Sequence, residues 1–254
     1  MNLKLIQGDC LEVMGNISDG SVDAIITDPP YGTTNCKWDS IIPLEPMWEQ
    51  VKRVIKKNGA IVMTASQPFT TTLIASNMKM FKYCWVWEKT RGSNFACLKY
   101  TPWKMHEDVV VFNAKGVYNP QKYTVDESQI DKRKTVNPPD SNKSGVYGEI
   151  VRTRKKDDGT RYPSSVVKIS NPNNKTVHPT QKPVALGQYL IRTYTNENET
   201  VLDFTAGSGS FGVAAILENR NFIGIELDEK YFKIMENRIK KAKELDAGHP
   251  LNFG

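Results

Sequence analysis

Val22-Asp23-Ala24-Ile25-Ile26-Thr27 runs directly into Asp28-Pro29-Pro30-Tyr31. The first six residues form a short apolar run rich in β-branched types, which predicts a buried strand. The next four cannot extend it. Two consecutive prolines donate no backbone N–H, so they leave a stiff turn whose carbonyls point outward as acceptors. The turn falls at the carboxyl end of the strand, where open α/β sheets place their ligands. A carboxylate, Asp28, stands on one side and a phenol ring, Tyr31, on the other. Such a turn can accept hydrogen bonds from an amino group and stack on a flat ring, so a planar base with an exocyclic NH2 fits it. Asp and Pro are also ordinary turn formers, and a plain strand-ending turn is the alternative.

Outward from this stretch, hydrophobic patterning predicts seven strands, at about 3–7, 22–27, 60–65, 82–88, 108–113, 200–204 and 222–226. Helices are expected between several of them. Residues 44–57 place Leu44, Met47, Val51, Val54 and Ile55 on one face, with Asn58-Gly59 as a stop. Residues 182–195 start with Pro183 and space Leu186, Leu190, Ile191 and Tyr194 helically. Residues 229–245 are amphipathic. Strands alternating with helices predict an α/β fold with a doubly wound, mostly parallel sheet.

Residues 115–175 break the pattern. Turn signals dominate there, at Asn137-Pro138-Pro139-Asp140, Asp157-Asp158-Gly159 and Asn171-Pro172-Asn173-Asn174. This segment holds 13 Lys and Arg against 7 Asp and Glu, so it carries the whole net charge of +6, and the remainder is neutral. Three parts result: 1–114 and 176–254 as two halves of one sheet, and 115–175 as a basic insert. A basic insert on a neutral body suits a polyanion, although Lys and Arg are also ordinary surface residues.

No apolar run approaches the ~20 residues needed to span a bilayer. Cys10, Cys36, Cys84 and Cys97 are widely spaced, which suggests neither a disulfide framework nor a zinc site. They are expected to be small packing residues in a reducing cytoplasm. No His/Cys/carboxylate group has ligand spacing, so no metal is expected. Trp85, Trp87 and Trp103 are expected to pack rather than stack on a base.

Near the other end, Thr200-Val201-Leu202-Asp203-Phe204 leads into Thr205-Ala206-Gly207-Ser208-Gly209-Ser210-Phe211-Gly212, with Glu226 closing the next strand. Glycines at 207, 209 and 212 permit close backbone approach, and an acid on the next strand can bind ribose hydroxyls. A dinucleotide-binding fold does not fit, since only 42 residues follow Gly212. If the N-terminal strands complete the same sheet, this turn and Asp28–Tyr31 share one edge.

The combination resembles the β-group of DNA amino-methyltransferases, which modify adenine N6 or cytosine N4. There the D-P-P-Y element precedes the target-recognition region, and the Gly-rich element comes last. Asp203-Phe204-Thr205-Ala206-Gly207-Ser208-Gly209 is similar to the family's D-x-F-x-G-x-G, with Thr205 in the usual phenylalanine slot. His178-Pro179-Thr180-Gln181-Lys182-Pro183 matches H-P-T-x-K-P, and Gly8-Asp9-Cys10 matches G-D-[CS]. The resemblance implies a Rossmann-like methyltransferase sheet that uses S-adenosyl-L-methionine. Asp28, Pro29, Pro30 and Tyr31 would hold the target base, which must leave the duplex. Asp9, Cys10, Lys182, Asp203, Thr205, Gly207, Ser208, Gly209 and Glu226 would form the cofactor site, with Lys182 facing the cofactor carboxylate and a bare Gly209 leaving it room. Residues 115–175 would recognise double-stranded DNA, with Arg152, Arg154, Lys155 and Lys156 as contacts.

The resemblance further implies a cytoplasmic bacterial or phage enzyme with no metal and no membrane partner, and leaves a homodimer open. Asp at position 28, where the cytosine-N4 group more often carries Ser, points to adenine N6, with cytosine N4 as the alternative. Protein-glutamine and RNA methyltransferases show N-P-P-Y with the reverse motif order. A DNA-binding regulator that merely keeps the fold is disfavoured by the intact Asp28, Tyr31, Gly207 and Gly209.

Overall fold

The computed structural model describes residues 1–34, 36, 39–130, 140–144, 148–152, 157–171 and 181–248. The N-terminal part comprises β1 (Leu3–Gln7), α1 (Cys10–Met14), β2 (Val22–Thr27), α2 (Leu44–Val54), β3 (Ile55–Ala65), α3 (Phe69–Ser76), β4 (Phe81–Ser93) and β5 (Lys104–Phe112). Four short strands come next, β6 (Tyr123–Thr124), β7 (Asp140–Ser144), β8 (Gly148–Arg152) and β9 (Thr160–Arg161). The chain then forms β10 (Val166–Lys168), α4 (Val184–Tyr194), β11 (Thr200–Asp203), α5 (Ser210–Leu217), β12 (Asn221–Glu226) and α6 (Glu229–Gly248).

Eight strands make one sheet in the order β1-β12-β11-β2-β3-β5-β4-β10. Within this sheet, among the described residues, only β5 is paired antiparallel to its neighbours, β3 and β4, and the other pairings are parallel. All seven expected strands are present, and β10, from within the expected insert, adds an eighth at the edge. Two compact units result, Met1–Asn119 with Ser165–Gly254, and Pro120–Ser164. The separate unit is thus narrower than 115–175. Its flanks belong to the sheet unit: Lys115 and Gly116 donate to the Asn58 carbonyl, and Asn119 to that of Thr193.

β2 shows why a parallel sheet reads as a continuous apolar run. Ala24 and Ile26 point into one core with Trp85, Leu190, Phe211 and Met235. Ile25 points into the other, with Met47, Trp48, Ile61 and Phe112. Trp85 and Trp87 are buried, and their indole N–H groups donate to Tyr194 Oη at 2.6 Å and the Ile169 carbonyl at 2.9 Å. Trp103, expected to pack likewise, is exposed. Cys10 is buried and Cys84 half-buried, but Cys36 and Cys97 are exposed, so those two are not packing residues.

α2 ends at Val54 rather than running on to Lys57, because Ile55 is already paired with Val22 as the start of β3. Gly59 is therefore not a helix stop. A Cβ there would lie 2.5 Å from the Asp23 carbonyl oxygen, so the bare backbone lets β3 pass β2. Close passage also explains Gly212, where a Cβ would strike Ile239 and Phe222 at 2.6 and 2.7 Å. Within Pro120–Ser164, β6 pairs antiparallel with β9 and β7 with β8. Arg161 clamps both oxygens of Asp157, and Lys122 Nζ lies 4.5 Å from the Tyr162 ring centre. Among the described residues no helix is long and apolar enough to cross a membrane.

Candidate active site

Parallel pairing brings the carboxyl ends of β1, β12, β11 and β2 to one edge. Gly8-Asp9, Glu226, the glycine turn and Asp28 each stand at one of these strand ends and are therefore collected there. A cleft of about 940 Å³ opens along this edge and is lined by residues of all four, including Asp9, Asp28, Tyr31, Lys182, Gly207 and Glu226.

The two motif strands are joined side chain to side chain. Thr27 Oγ1 donates to Asp203 Oδ1 at 2.6 Å and lies 2.7 Å from Thr205 Oγ1. Asp203 also accepts the Thr205 N–H at 3.2 Å. Its carboxyl is 2% exposed, and burial pushes its pKa up to about 7 against the hydrogen bond from Thr27. The threonine in the phenylalanine slot is thus a tether to β2.

The glycine turn is pinned from two sides. Glu226 accepts the Gly207 N–H at 2.7 Å and the Asp228 N–H at 2.8 Å, and burial raises its pKa. Arg238, on α6, donates to the carbonyl and hydroxyl of Ser208 at 2.6 and 2.9 Å. Gly207 and Gly209 hold left-handed φ of +52° and +77°, open to glycine at no steric cost. Their surroundings differ. A Cβ on Gly207 meets nothing within 4 Å, whereas one on Gly209 would lie 2.8 Å from Met235 Cγ. The bare backbone at Gly209 serves the packing of α6, not the open cleft as the sequence suggested. Asp9 caps α1 by accepting the Leu11 N–H at 2.8 Å, and the Gly8 N–H donates to the Glu226 carbonyl at 3.0 Å. Burial pushes the Cys10 thiol up to about 12.

Asp28 sits in a network that the sequence only partly indicated. Its Oδ1 accepts the Tyr31 hydroxyl at 2.8 Å and the Thr64 hydroxyl, and its Oδ2 accepts Lys182 Nζ at 2.7 Å. Lys182 also pairs with Glu107 Oε2 at 3.3 Å, and Glu107 Oε1 takes Lys89 Nζ at 3.1 Å. Two ammonium groups and two carboxylates therefore alternate in a neutral chain. Both lysines are buried, at 7% and 4% exposure. Burial alone would lower the Lys182 pKa, but Asp28 and Glu107 outweigh it and raise it. Burial alone would raise that of Glu107, but Lys182 and Lys89 hold it below the usual carboxylate range. Burial and the charges of Asp28 and Glu107 push the Tyr31 phenol up. The Tyr31 ring stacks on Phe69 at 5.5 Å between centres and 21° between planes. Glu107 and Lys89 lie on β5 and β4, 79 and 61 residues from Asp28, with no local spacing to mark them.

Asp39 is the other unforeseen residue. Its two oxygens accept backbone N–H groups of Tyr31, Gly32, Thr33 and Thr34 at 2.6 to 2.9 Å. Burial pushes its carboxyl up, but the Thr34 side chain and these amides outweigh it and hold it low. Asp39 thereby fixes the path of the chain after the double proline. Of the expected nucleic-acid contacts, Arg154, Lys155 and Lys156 lie outside the described residues, as do His178–Thr180, and only the backbone of Arg152 falls within β8. Among the described residues, no group of three His, Cys, Asp or Glu side chains could hold a metal ion.

A sheet of this topology, with an acceptor-rich turn beside a glycine turn on adjacent strands, defines a nucleoside-handling α/β protein. Residues 22–237 match the N6/N4 DNA methylase profile, and the chain belongs to that family of DNA methyltransferases. It is similar to the DNA adenine methyltransferase YhdJ of Escherichia coli (strain K12), at 29% identity over 265 residues, 96% of this chain and 84% of that protein. Among solved structures it resembles the M1.HpyAVI–SAM complex, with a TM-score of 0.61 at 24% identity over 93% of this chain and 99% of that one. It also resembles the cytosine-N4-specific PvuII DNA methyltransferase, with a TM-score of 0.66 at 15% identity over 96% and 91% of the two chains. These two likenesses establish the fold.

Proposed function

We propose that this chain transfers a methyl group from S-adenosyl-L-methionine to the exocyclic N6 of an adenine flipped out of double-stranded DNA. The observation that carries the proposal is the joining, through Thr27, Asp203 and Thr205, of the Asp28–Tyr31 turn to the glycine turn in one cleft.

The donor set fits the cofactor. Asp203 and Glu226 offer carboxylate acceptors at adjacent strand ends, suited to ribose hydroxyls and a cationic sulfonium. Gly207 offers open space where a side chain would crowd a ligand. Asp9, Cys10, Thr205 and Ser208 complete this half of the cleft, and bound S-adenosyl-L-methionine would supply an electrophilic methyl carbon there. Lys182, tied to Asp28 and Glu107, acts on the base side in this reading.

The rest of the chemistry belongs to the chain. A carboxylate has about four lone-pair sites. Two on Oδ1 of Asp28 are filled, and one on Oδ2, which leaves one Oδ2 site for an amine N–H. The Pro29 carbonyl is the second acceptor. Hydrogen bonds to both would favour pyramidal nitrogen and stabilise positive charge as it grows there. Lys182, Thr64 and Tyr31 hold the carboxylate in place beforehand, so no reorganisation is needed during reaction. Phe69 backs the Tyr31 ring, Lys182 Nζ lies 5.3 Å from its centre, and the ring lines the cleft that the base would enter. Asp rather than Ser at position 28, together with the similarity to an adenine methyltransferase, favours adenine.

The test is methylation-aware sequencing of unmethylated DNA treated with the protein and S-adenosyl-L-methionine. N6-methyladenine at one sequence motif is expected. N4-methylcytosine would transfer the mechanism to the alternative base, and no modification would refute it.

A further inference from the structure

Resting on the methyltransferase function just proposed, we propose that the hairpin between β4 and β5, residues 94–103, is a wedge that enters the DNA stack and fills the place of the flipped base. β4 runs parallel to β2 and β3 in sense, so its carboxyl end reaches the same edge as Asp28. The hairpin stem lines the same cleft as the Asp28–Tyr31 turn, through Arg91, Gly92, Ser93 and Lys104.

The tip is apolar and unprotected. Phe95 is 82% and Tyr100 87% exposed, and Leu98 and Trp103 are exposed beside them. Four exposed large apolar side chains within one ten-residue hairpin mark an interaction surface. Its charge identifies the occupant. From Lys89 to His106 there is no Asp or Glu, while Arg91, Lys99 and Lys104 fall within the hairpin and its stem. Apolar and aromatic side chains rimmed only by cations suit a nucleic-acid stack between phosphates.

The hairpin is braced as an inserting element must be. Asn94 adopts the left-handed region at φ 60°. Its side chain donates to Thr101 Oγ1 and the Pro102 carbonyl at 3.0 and 3.1 Å and accepts the Lys104 N–H at 2.8 Å. Trp103 lies over Gly92 so closely that a Cβ there would sit 2.4 Å from its indole nitrogen. Within the tip, the Cys97 N–H donates to the Asn94 carbonyl and the Tyr100 N–H to that of Cys97, both at 2.9 Å. Phe95 and Tyr100 are thus presented on a closed loop. Flipping leaves a gap in the stack and costs unstacking energy, and a planar side chain in that gap offsets the loss.

The experiment uses the full chain and oligonucleotide duplexes carrying the methylated motif that sequencing identifies. In one duplex the target base is paired; in the other it faces an abasic site, which removes most of the cost of opening. Phe95→Ala/Tyr100→Ala should lower the methylation rate on the paired duplex roughly ten-fold or more, as loss of aromatic stacking on bases typically does. It should bring the variant within about three-fold of wild type on the abasic duplex, with S-adenosyl-L-methionine affinity unchanged. Phe95→Tyr/Tyr100→Phe, which keeps both rings, should behave as wild type on both. Equal rates of variant and wild type on the paired duplex overturn the wedge. So does an equal loss on both duplexes, or a change from dimer to monomer in sedimentation, which would make the tip a contact between copies. A wild type that methylates neither duplex refutes the methyltransferase reading itself, and the wedge with it.

Discussion

Asp28 and its partners separate chemistry from binding. If the carboxylate acts on an amine gaining charge, Asp28→Ala should lower kcat and kcat/KM together, by roughly 10²–10³. DNA and cofactor affinities should stay within a few-fold in the same preparation, and near wild-type turnover would reduce the turn to a structural role. Glu107 should act through Lys182. Glu107→Gln leaves Lys182 held by Asp28 alone, so the lysine competes more strongly for the Oδ2 site that the amine needs. The expected result is a fall in kcat with little change in KM, read from single-turnover rates at saturating DNA. Asp203 gives a pH signature. Its folded pKa of about 7 lies above the ordinary carboxylate value, so folding takes up a proton. The stabilisation is complete below about pH 4 and lost as pH rises to about 7, on the order of 4 kcal/mol. Asp203→Asn removes this term. Thermal melts should therefore show the variant gaining on wild type from pH 5 to pH 8, and parallel curves would contradict the assignment.

At the scale of elements, the two glycines of the turn carry different loads. Asn tolerates the left-handed region, and Gly207 has open space beside it. Gly207→Asn should keep the circular dichroism of the wild type but weaken S-adenosyl-L-methionine binding in calorimetry. Gly209→Val meets Met235 and should lower the melting temperature instead. That difference also marks what a sequence carries. Every strand of the expected sheet was legible, because parallel strands buried on both faces leave unbroken apolar runs, as Val22–Thr27 and Val109–Phe112 do. The Asp28, Gly207 and Glu226 parts of the site were legible because motif and strand end coincide. β10 was not, since three residues inside turn-rich chain show no period. The extent of α2 was misjudged because Ile55 suits either a helix face or a buried strand. Glu107, Lys89 and Asp39 were invisible for another reason: their partners are far along the chain or are backbone amides, and neither leaves a spacing. Lys182 was visible as a motif member, but its ion pairs with Asp28 and Glu107 were not.

For the whole molecule, the net charge is shared between the two units: Pro120–Ser164 holds 10 Lys and Arg against 7 Asp and Glu, and the larger sheet unit 24 against 21, so the basic excess is densest in the smaller one. Neutralising Arg152, Arg154, Lys155 and Lys156 together should weaken DNA binding and flatten its salt dependence, by roughly 0.9 in log–log slope for each phosphate left unneutralised. Cofactor binding should not change, and an unaltered slope would remove these residues from the interface. The sheet order has a further consequence, for how the protein is made. β11 and β12 lie between β1 and β2, although they are the last strands in the chain. Between emergence of Thr27 and of Thr200, a ribosome adding 5–20 residues per second works for roughly 10–35 s. Throughout that time β2 presents an unpaired apolar edge and β1 has no neighbour, the condition in which nascent chains aggregate. The N-terminal strands should therefore depend on chaperone holding until translation is nearly complete, and a chain stopped at residue 199 should pellet where the full chain stays in the supernatant.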